Sequence, residues 1–178
     1  MSTHYFIDET KAKGYVVVIA SCPSESLAAM RRVVSRLVLP GQRSIHMKNE
    51  SPRRRRQIAG AFVGLSERGI QATVLDAGRG PESERLRRAR ALRAVVALTA
   101  EGPSGNLVLD LDRTMLARDR RVLSSALREF SADHLSYAHL PFSAEPLLAI
   151  PDVVAWSWAR GGEWRARIQP LIRDHRDV

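Results

Sequence analysis

Three aspartates stand where the surrounding pattern predicts apolar side chains. Asp8 and Asp110 each end a short apolar run, and Asp152 lies inside an apolar segment at residues 147–156. An ionised carboxylate is costly to bury among such neighbours unless a cation or hydrogen-bond donors meet it. Several carboxylates could share that cation, and hard oxygen ligands without cysteines or a paired-histidine motif favour Mg²⁺ or Mn²⁺ over zinc. The pattern therefore predicts a magnesium or manganese site where the fold brings the three acids together.

Each of these acids also has an explanation that involves no metal. Asp8 and Glu9 could begin a polar hairpin turn. Asp112 would share a strand face with Asp110 by the two-residue period, but it could instead cap the helix that follows. Asp152 follows a proline suited to the first position of a helix, so its charge would lie at the positive end of the helix dipole. Only the joint placement of the acids favours a site.

The elements that would position these residues alternate between strands and helices. The pattern predicts strands at 4–8, 14–21, 70–76, 106–111 and 134–140, a loop or short strand at 44–48, and helices at 24–38, 52–68, 82–100, 114–130 and 147–159, with a short tail helix after them. Two strands joined by a polar loop predict an antiparallel hairpin, and the alternation that follows predicts an α/β sheet with helices on both faces. A chain of 178 residues without a linker predicts one domain over 1–178.

Positive charge is concentrated in one stretch of the chain. The net charge is +9, and residues 51–93 hold eleven arginines against four acids. Clustered arginines attract phosphate backbones, although an arginine-rich coding bias or local ion pairs such as Glu84–Arg88 would give the same composition. The residues expected to contact nucleic acid are Lys48, Arg53, Arg54, Arg55, Arg56, Arg87 and Arg88.

Composition argues against a membrane or secreted protein. The longest apolar run, Tyr15–Ala20, is far shorter than the roughly 18 residues of a membrane span, and neither arginine-rich helix carries the apolar stripe of a membrane-surface helix. No secretory signal is visible at the start, and the single cysteine, Cys22, can form neither an intramolecular disulfide nor a zinc knuckle. We expect a cytoplasmic protein, with the oligomeric state open and a homodimer among the options.

Short motifs along the chain resemble one bacterial family. Residues 6–10, Phe-Ile-Asp-Glu-Thr, are similar to the Asp-Glu-Ser opening of the bacterial domain-of-unknown-function family 3800. Residues 145–156 resemble that family's ending, in which an acid leads into an apolar helix, and residues 161–164 extend the likeness to a bacterial subgroup. Residues 45–48, Ile-His-Met-Lys, resemble the family's central histidine segment. Together these motifs span nearly the whole chain.

The resemblance implies a ribonuclease-H-like fold, whose acids come from the first strand, the fourth strand and the last helix. Asp8 matches the first-strand acid and Asp152 the last-helix acid. Asp110 is the best match for the middle strand, with Asp112 as its alternative. The implied activity is metal-dependent hydrolysis of nucleic-acid phosphodiesters, with Mg²⁺ or Mn²⁺ held by these acids and DNA or RNA as the partner.

The resemblance also implies roles for residues around the acids. His46 would position a phosphate or shuttle a proton. A fourth acidic ligand, usual in this fold, would be Glu9, Glu50 or Asp112.

Two further functions stay open on the sequence alone. One is a non-catalytic nucleic-acid-binding module, in which the arginines act and the acids only cap and pair. The other is a partner-binding component of a bacterial defence or toxin system, whose basic face meets an acidic protein. The three tryptophans, Trp156, Trp158 and Trp164, are expected to pack in the core in preference to stacking on bases.

Overall fold

A six-stranded mixed sheet forms the centre of the computed structural model, which describes residues 2–178. The strands are β1 (Thr3–Thr10), β2 (Val16–Pro23), β3 (Gln71–Asp76), β4 (Gly105–Asp110), β5 (Leu135–Leu140) and β6 (Ile172–Asp177). They lie in the order β5-β4-β1-β2-β3-β6. β2 runs antiparallel to both β1 and β3, and the other neighbouring pairs are parallel. The predicted α/β class, N-terminal hairpin and ribonuclease-H-like mixed sheet are confirmed.

Helices cover both faces of this sheet, as predicted. They are α1 (Leu27–Leu37), α2 (Pro52–Val63), α3 (Glu84–Ala100), α4 (Leu116–Glu129), α5 (Ala149–Arg160) and α6 (Gly162–Ile168). α1, α2, α5 and α6 pack on one side, here called the α5 face, and α3 and α4 pack on the other, the α3 face. Within residues 2–178 no helix combines the length and the apolar character needed to cross a membrane.

The central strands are buried on both faces, and their alternation fixes where the acids point. In β1, Phe6 packs in the core of the α5 face and Ile7 in that of the α3 face. The next residue, Asp8, therefore returns to the α5 face. Ile7 lies opposite Leu109 in the parallel pair β1–β4, so the residues that follow each of them, Asp8 and Asp110, lie side by side.

Two local expectations differ from the structure, and one alternative is decided by it. The predicted helix 52–68 is α2 only as far as Val63, followed by a 3-10 turn at Ser66–Arg68. Its predicted start is confirmed, because the Ser51 side chain accepts a hydrogen bond from the Arg54 N–H ahead of the first turn. Residues 44–48, expected as a loop or a short strand, form a loop whose end enters the 3-10 turn Met47–Asn49. After α6 the chain adds the sixth strand, β6, which the sequence did not predict.

Candidate functional site

Three carboxylates meet at one end of the sheet on the α5 face. Asp8 and Asp110 stand on neighbouring parallel strands, which lie about 4.8 Å apart. Asp152 lies in the first turn of α5, which packs against β1 and β2. Besides burial, the charges of Asp152 and Asp110 raise the pKa of Asp8, and the charge of Asp110 raises that of Asp152, so the three carboxylates lie near one another. Asp8 and Asp152 line one cavity of about 450 Å³. The strand register and the docking of α5 thus bring together three acids that are 102 and 42 residues apart in sequence.

Burial disfavours the charged form of all three acids. The Asp8 side chain is buried, and desolvation together with the charge of Asp152 raises its pKa well above the usual range. Burial raises the pKa of Asp152 to about 6, although a hydrogen bond from the Met47 N–H to Oδ2, at 2.8 Å, and the charge of Lys48 oppose the shift. Burial and the nearby Glu9 also raise the pKa of Asp110.

A hard divalent cation fits this set of side chains. None of the three aspartates forms an ion pair with a residue of the described chain, and Asp8 accepts only the N–H of Glu9, at 2.8 Å. A buried group of carboxylates without a cationic partner is electrostatically unfavourable, and a bound cation relieves it. Oxygen-only ligands suit Mg²⁺ and Mn²⁺.

The ligand atoms of the three aspartates do not all lie within reach of one ion as the side chains stand. Among residues 2–178, one group of three histidine or acidic side chains has its ligand atoms within 4.8 Å of one another. It consists of Asp76, His175 and Asp177. Asp8, Asp110 and Asp152 are spread more widely, so one ion does not reach all three as they stand. Side-chain rotation on binding would bring them to a shared cation.

The Asp76, His175 and Asp177 group lies elsewhere on the same sheet end. Asp76 and Asp177 are neighbours on β3 and β6, and Asp76 Oδ1 already accepts the N–H of Gly78 at 2.8 Å. The strand register places His175 three strands away from Asp8. His175 and Asp177 are exposed, so water already solvates their charges. A cation bound there would therefore relieve less electrostatic repulsion than one bound near Asp8.

The histidine segment lies beside Asp152 and the cavity. The Met47–Asp152 hydrogen bond fixes it, and His46 and Lys48 on either side of Met47 both line the cavity. The imidazole of His46 packs on the ring of Phe142 with centroids 4.0 Å apart. Burial and the charge of Lys48 lower the pKa of His46, so its ring is neutral at neutral pH and one nitrogen can accept a proton.

Arg55 holds this segment in place by hydrogen bonds to its backbone. Its Nε donates to the Met47 carbonyl at 2.7 Å and its Nη2 to the Lys48 carbonyl at 3.0 Å. The guanidinium also lies over the ring of Trp156, 4.8 Å from the centroid. Arg55 was predicted as a phosphate contact, and two of its five N–H donors are used inside the protein.

The three candidates for a fourth acidic ligand all have protein partners. Glu9 reaches the cavity rim, but its carboxylate pairs with Arg88 at 2.5 Å on the α3 face. Glu50 is buried and bonded to Arg54 and a glutamine. Asp112 accepts from the N–H of Thr114 at 2.8 Å and from its hydroxyl at 2.6 Å, which lowers the pKa of Asp112.

Asp112 does not share a face with Asp110 in the way that the strand period predicted. β4 ends at Asp110, and the chain turns before Asp112. Asp112 lines a separate hollow together with Tyr15 and Arg88. Its side chain holds the turn ahead of α4, but the N-cap of α4 is Met115, so Asp112 does not cap the helix as the sequence had suggested.

A buried ion-pair network on the α3 face was missed by sequence reasoning. Arg88 donates through Nε and Nη2 to both carboxylate oxygens of Asp119, at 2.8 and 2.7 Å, and Nη1 lies 3.3 Å from the Tyr15 hydroxyl. His139 Nε2 lies 3.5 Å from the same carboxylate. One feature of the sequence could have indicated the network. Asp119 lies on the apolar side of α4, one helical turn before the buried Leu123.

The predicted phosphate contacts divide into buried and exposed groups. Arg88 is held in the α3-face network, and Arg87 is buried with Nη2 bonded to the Gly80 carbonyl, so neither is available to a phosphate. This corrects the expectation for both, and its cause is that these positions of α3 turn toward the sheet. Arg54 donates to the Leu37 carbonyl and pairs with Glu50. Lys48, Arg53 and Arg56 are exposed, and none of them pairs with a carboxylate of the described residues.

A scan against protein-family models found no match to this chain, and a search of curated proteins found none similar enough to indicate a relationship. The resemblance noted in the sequence therefore stays a prediction.

Proposed function

We propose that this protein is a divalent-metal-dependent hydrolase of nucleic-acid phosphodiesters, with Asp8, Asp110 and Asp152 as ligands of Mg²⁺ or Mn²⁺. One observation carries the proposal. Three aspartates from β1, β4 and α5 lie near one another without an ion-pair partner among the described residues, and two of them, Asp8 and Asp152, line one cavity. Clustered carboxylates without a counter-charge lower the stability of the fold, and binding of a cation would explain why they are present.

The side chains around the cavity divide the remaining tasks. When bound, the metal supplies Lewis-acid activation of water and neutralises charge on the scissile phosphate. The Met47 N–H orients the carboxylate of Asp152, and Lys48 offers an exposed positive charge to a phosphate oxygen. The neutral ring of His46, held on Phe142, is placed to accept a proton from the attacking water or to donate to the phosphate.

A second candidate is a nucleic-acid-binding module without catalysis. The exposed and unpaired Lys48, Arg53 and Arg56 favour it, since they would attract a phosphate backbone whether or not a metal binds. The two functions differ in metal dependence, because binding by these residues needs no divalent cation.

Cleavage of labelled oligonucleotides separates the two. Single-stranded DNA, single-stranded RNA, duplexes and hybrids are incubated with Mg²⁺ or Mn²⁺ and with EDTA. We expect metal-dependent cutting by the wild type, loss of cutting in Asp8→Asn, and normal cutting in the matched variant Asp133→Asn, which alters an exposed aspartate. Salt-sensitive binding with no cutting of any substrate would overturn the hydrolase and leave the binding module.

A further inference from the structure

Helix α5 has one line of side chains that reaches solvent. Eight of its twelve residues are buried. Three of the others, Asp152, Trp156 and Arg160, follow one another at intervals of four and so lie along one side of the helix. This side of α5 begins at the cavity that Asp8 and Asp152 share, here called the acid cavity, and Trp156 also borders that cavity. It ends at the exposed Arg160.

Two arginines pack against tryptophan rings on this side of α5 and on the neighbouring α6. Arg160 lies over the ring of Trp156, with 5.6 Å between its guanidinium carbon and the centroid. The ring of Trp164, from α6, meets Trp156 edge to face at 4.9 Å, and Arg167 lies over Trp164 at 5.8 Å. We call Trp156, Arg160, Trp164 and Arg167 the Trp–Arg strip.

The strip keeps its positive charge. Arg160 and Arg167 are exposed, and neither pairs with a carboxylate of residues 2–178. Stacking on an aromatic face limits the motion of a guanidinium but leaves its N–H edge free, which is the edge that binds phosphate in a bidentate manner. Two arginines of α3 differ, since Arg88 pairs with Asp119 and Arg93 with Glu129.

We propose that the Trp–Arg strip is a track for the phosphodiester backbone of a nucleic-acid strand whose end or interior lies in the acid cavity. This inference rests on the proposed function and names the route by which its substrate reaches the acids. From Asp152 to Arg160 the helix rises about 12 Å, which matches about three to four nucleotide steps at the duplex rise of ~3.4 Å. Arg160 and Arg167 would each bind a phosphate. An acidic peptide could meet the same charges, but it would have no need of a path that ends at three carboxylates.

The track is tested by measuring the binding of oligonucleotides in EDTA, where metal-dependent cleavage cannot occur. Anisotropy of a labelled 12-nucleotide single strand and of a 12-base-pair duplex is measured in EDTA over a range of salt, with the double variant Arg160→Gln/Arg167→Gln. The control, Arg120→Gln/Arg121→Gln, removes the same charge from two exposed arginines on α4, at the other side of the sheet. Both pairs lie at the surface, so we expect both variants to fold.

We expect the strip variant to bind at least tenfold more weakly than wild type at low salt. The slope of log affinity against log salt should fall in magnitude by about 1.4 for the single strand or about 1.8 for the duplex, as two phosphate contacts are lost. The control should bind nearly as wild type does. Equal losses in both variants, or no loss in the strip variant, would overturn the track.

Two further results separate this inference from the proposed function. Metal-dependent cleavage by a strip variant that binds like wild type would refute the track and leave the hydrolase standing. Strip-dependent binding with no cleavage by the wild type would refute the hydrolase and leave the track. Binding of a labelled oligoglutamate peptide, lost in the strip variant, with no affinity for either oligonucleotide would assign the strip to an acidic protein and contradict the inference.

Discussion

Replacing Asp152 by asparagine should stabilise the metal-free protein at neutral pH. Burial raises the pKa of Asp152 from 3.8 to about 6. That shift corresponds to about 3 kcal/mol, at about 1.36 kcal/mol per pKa unit, and solvent at the cavity mouth reduces the expected effect to about 2 kcal/mol. Asparagine is nearly isosteric and its oxygen can still accept the Met47 N–H, so the variant mainly removes the buried charge.

The size of the effect depends on pH in a defined way. A carboxyl whose folded-state pKa is raised stabilises the fold in its protonated form, below about pH 4, and this contribution is lost as pH rises through about 6. The asparagine cannot ionise, so the advantage of Asp152→Asn should be near zero at pH 4 and reach its full size above pH 7. The wild type alone carries the cost in that range.

Urea denaturation in EDTA at pH 4 and at pH 7.5 measures this difference. Asp133→Asn, at an exposed position, serves as the matched control and should change stability little at either pH. Adding Mg²⁺ or Mn²⁺ at pH 7.5 should stabilise the wild type more than Asp152→Asn. A variant that is less stable than the wild type at pH 7.5, or equally more stable at both pH values, would refute the reasoning.

Three other expectations follow from contacts around the site. Arg88→Met leaves Asp119 buried without its partner, so we expect a loss of about 3 to 5 kcal/mol of unfolding free energy in urea denaturation. His46→Ala should slow metal-dependent cleavage by about 10² to 10⁴-fold with an unchanged circular dichroism spectrum, because it removes the neutral proton acceptor at the cavity. Arg55→Lys loosens the segment that orients Asp152 and should weaken Mn²⁺ binding by about tenfold or more, whereas Arg53→Lys should leave it unchanged.

The acids of the sheet could be predicted because local patterns place them. The apolar runs before Asp8 and Asp110 identify two buried strands, and residues that end neighbouring parallel strands meet at one edge. β6 could not be predicted in the same way. Its sequence, Ile-Arg-Asp-His-Arg-Asp, has one apolar residue, and as an edge strand it is mostly exposed and so needs no apolar alternation.

The roles of the arginines lay beyond the local pattern. Arg88 and Arg160 are both arginines within helices, yet one is buried against Asp119, 31 residues away, and the other lies exposed on a tryptophan ring. Counting charges along the chain predicted the first as a phosphate contact and gave no role to the second. Only the packing of α3 on α4 and of α5 on α6 decides which guanidinium is free.

The central claim is that Asp8, Asp110 and Asp152 form a divalent-metal centre, and a calorimetric titration with Mn²⁺ tests it most directly. Asp8→Asn is compared with Asp177→Asn, which alters the exposed group at Asp76 and His175 and leaves the proposed ligands intact. We expect the wild type and Asp177→Asn to bind Mn²⁺ alike and Asp8→Asn to bind at least tenfold more weakly. Unchanged binding in Asp8→Asn, or loss of binding in Asp177→Asn, would contradict the proposed metal centre.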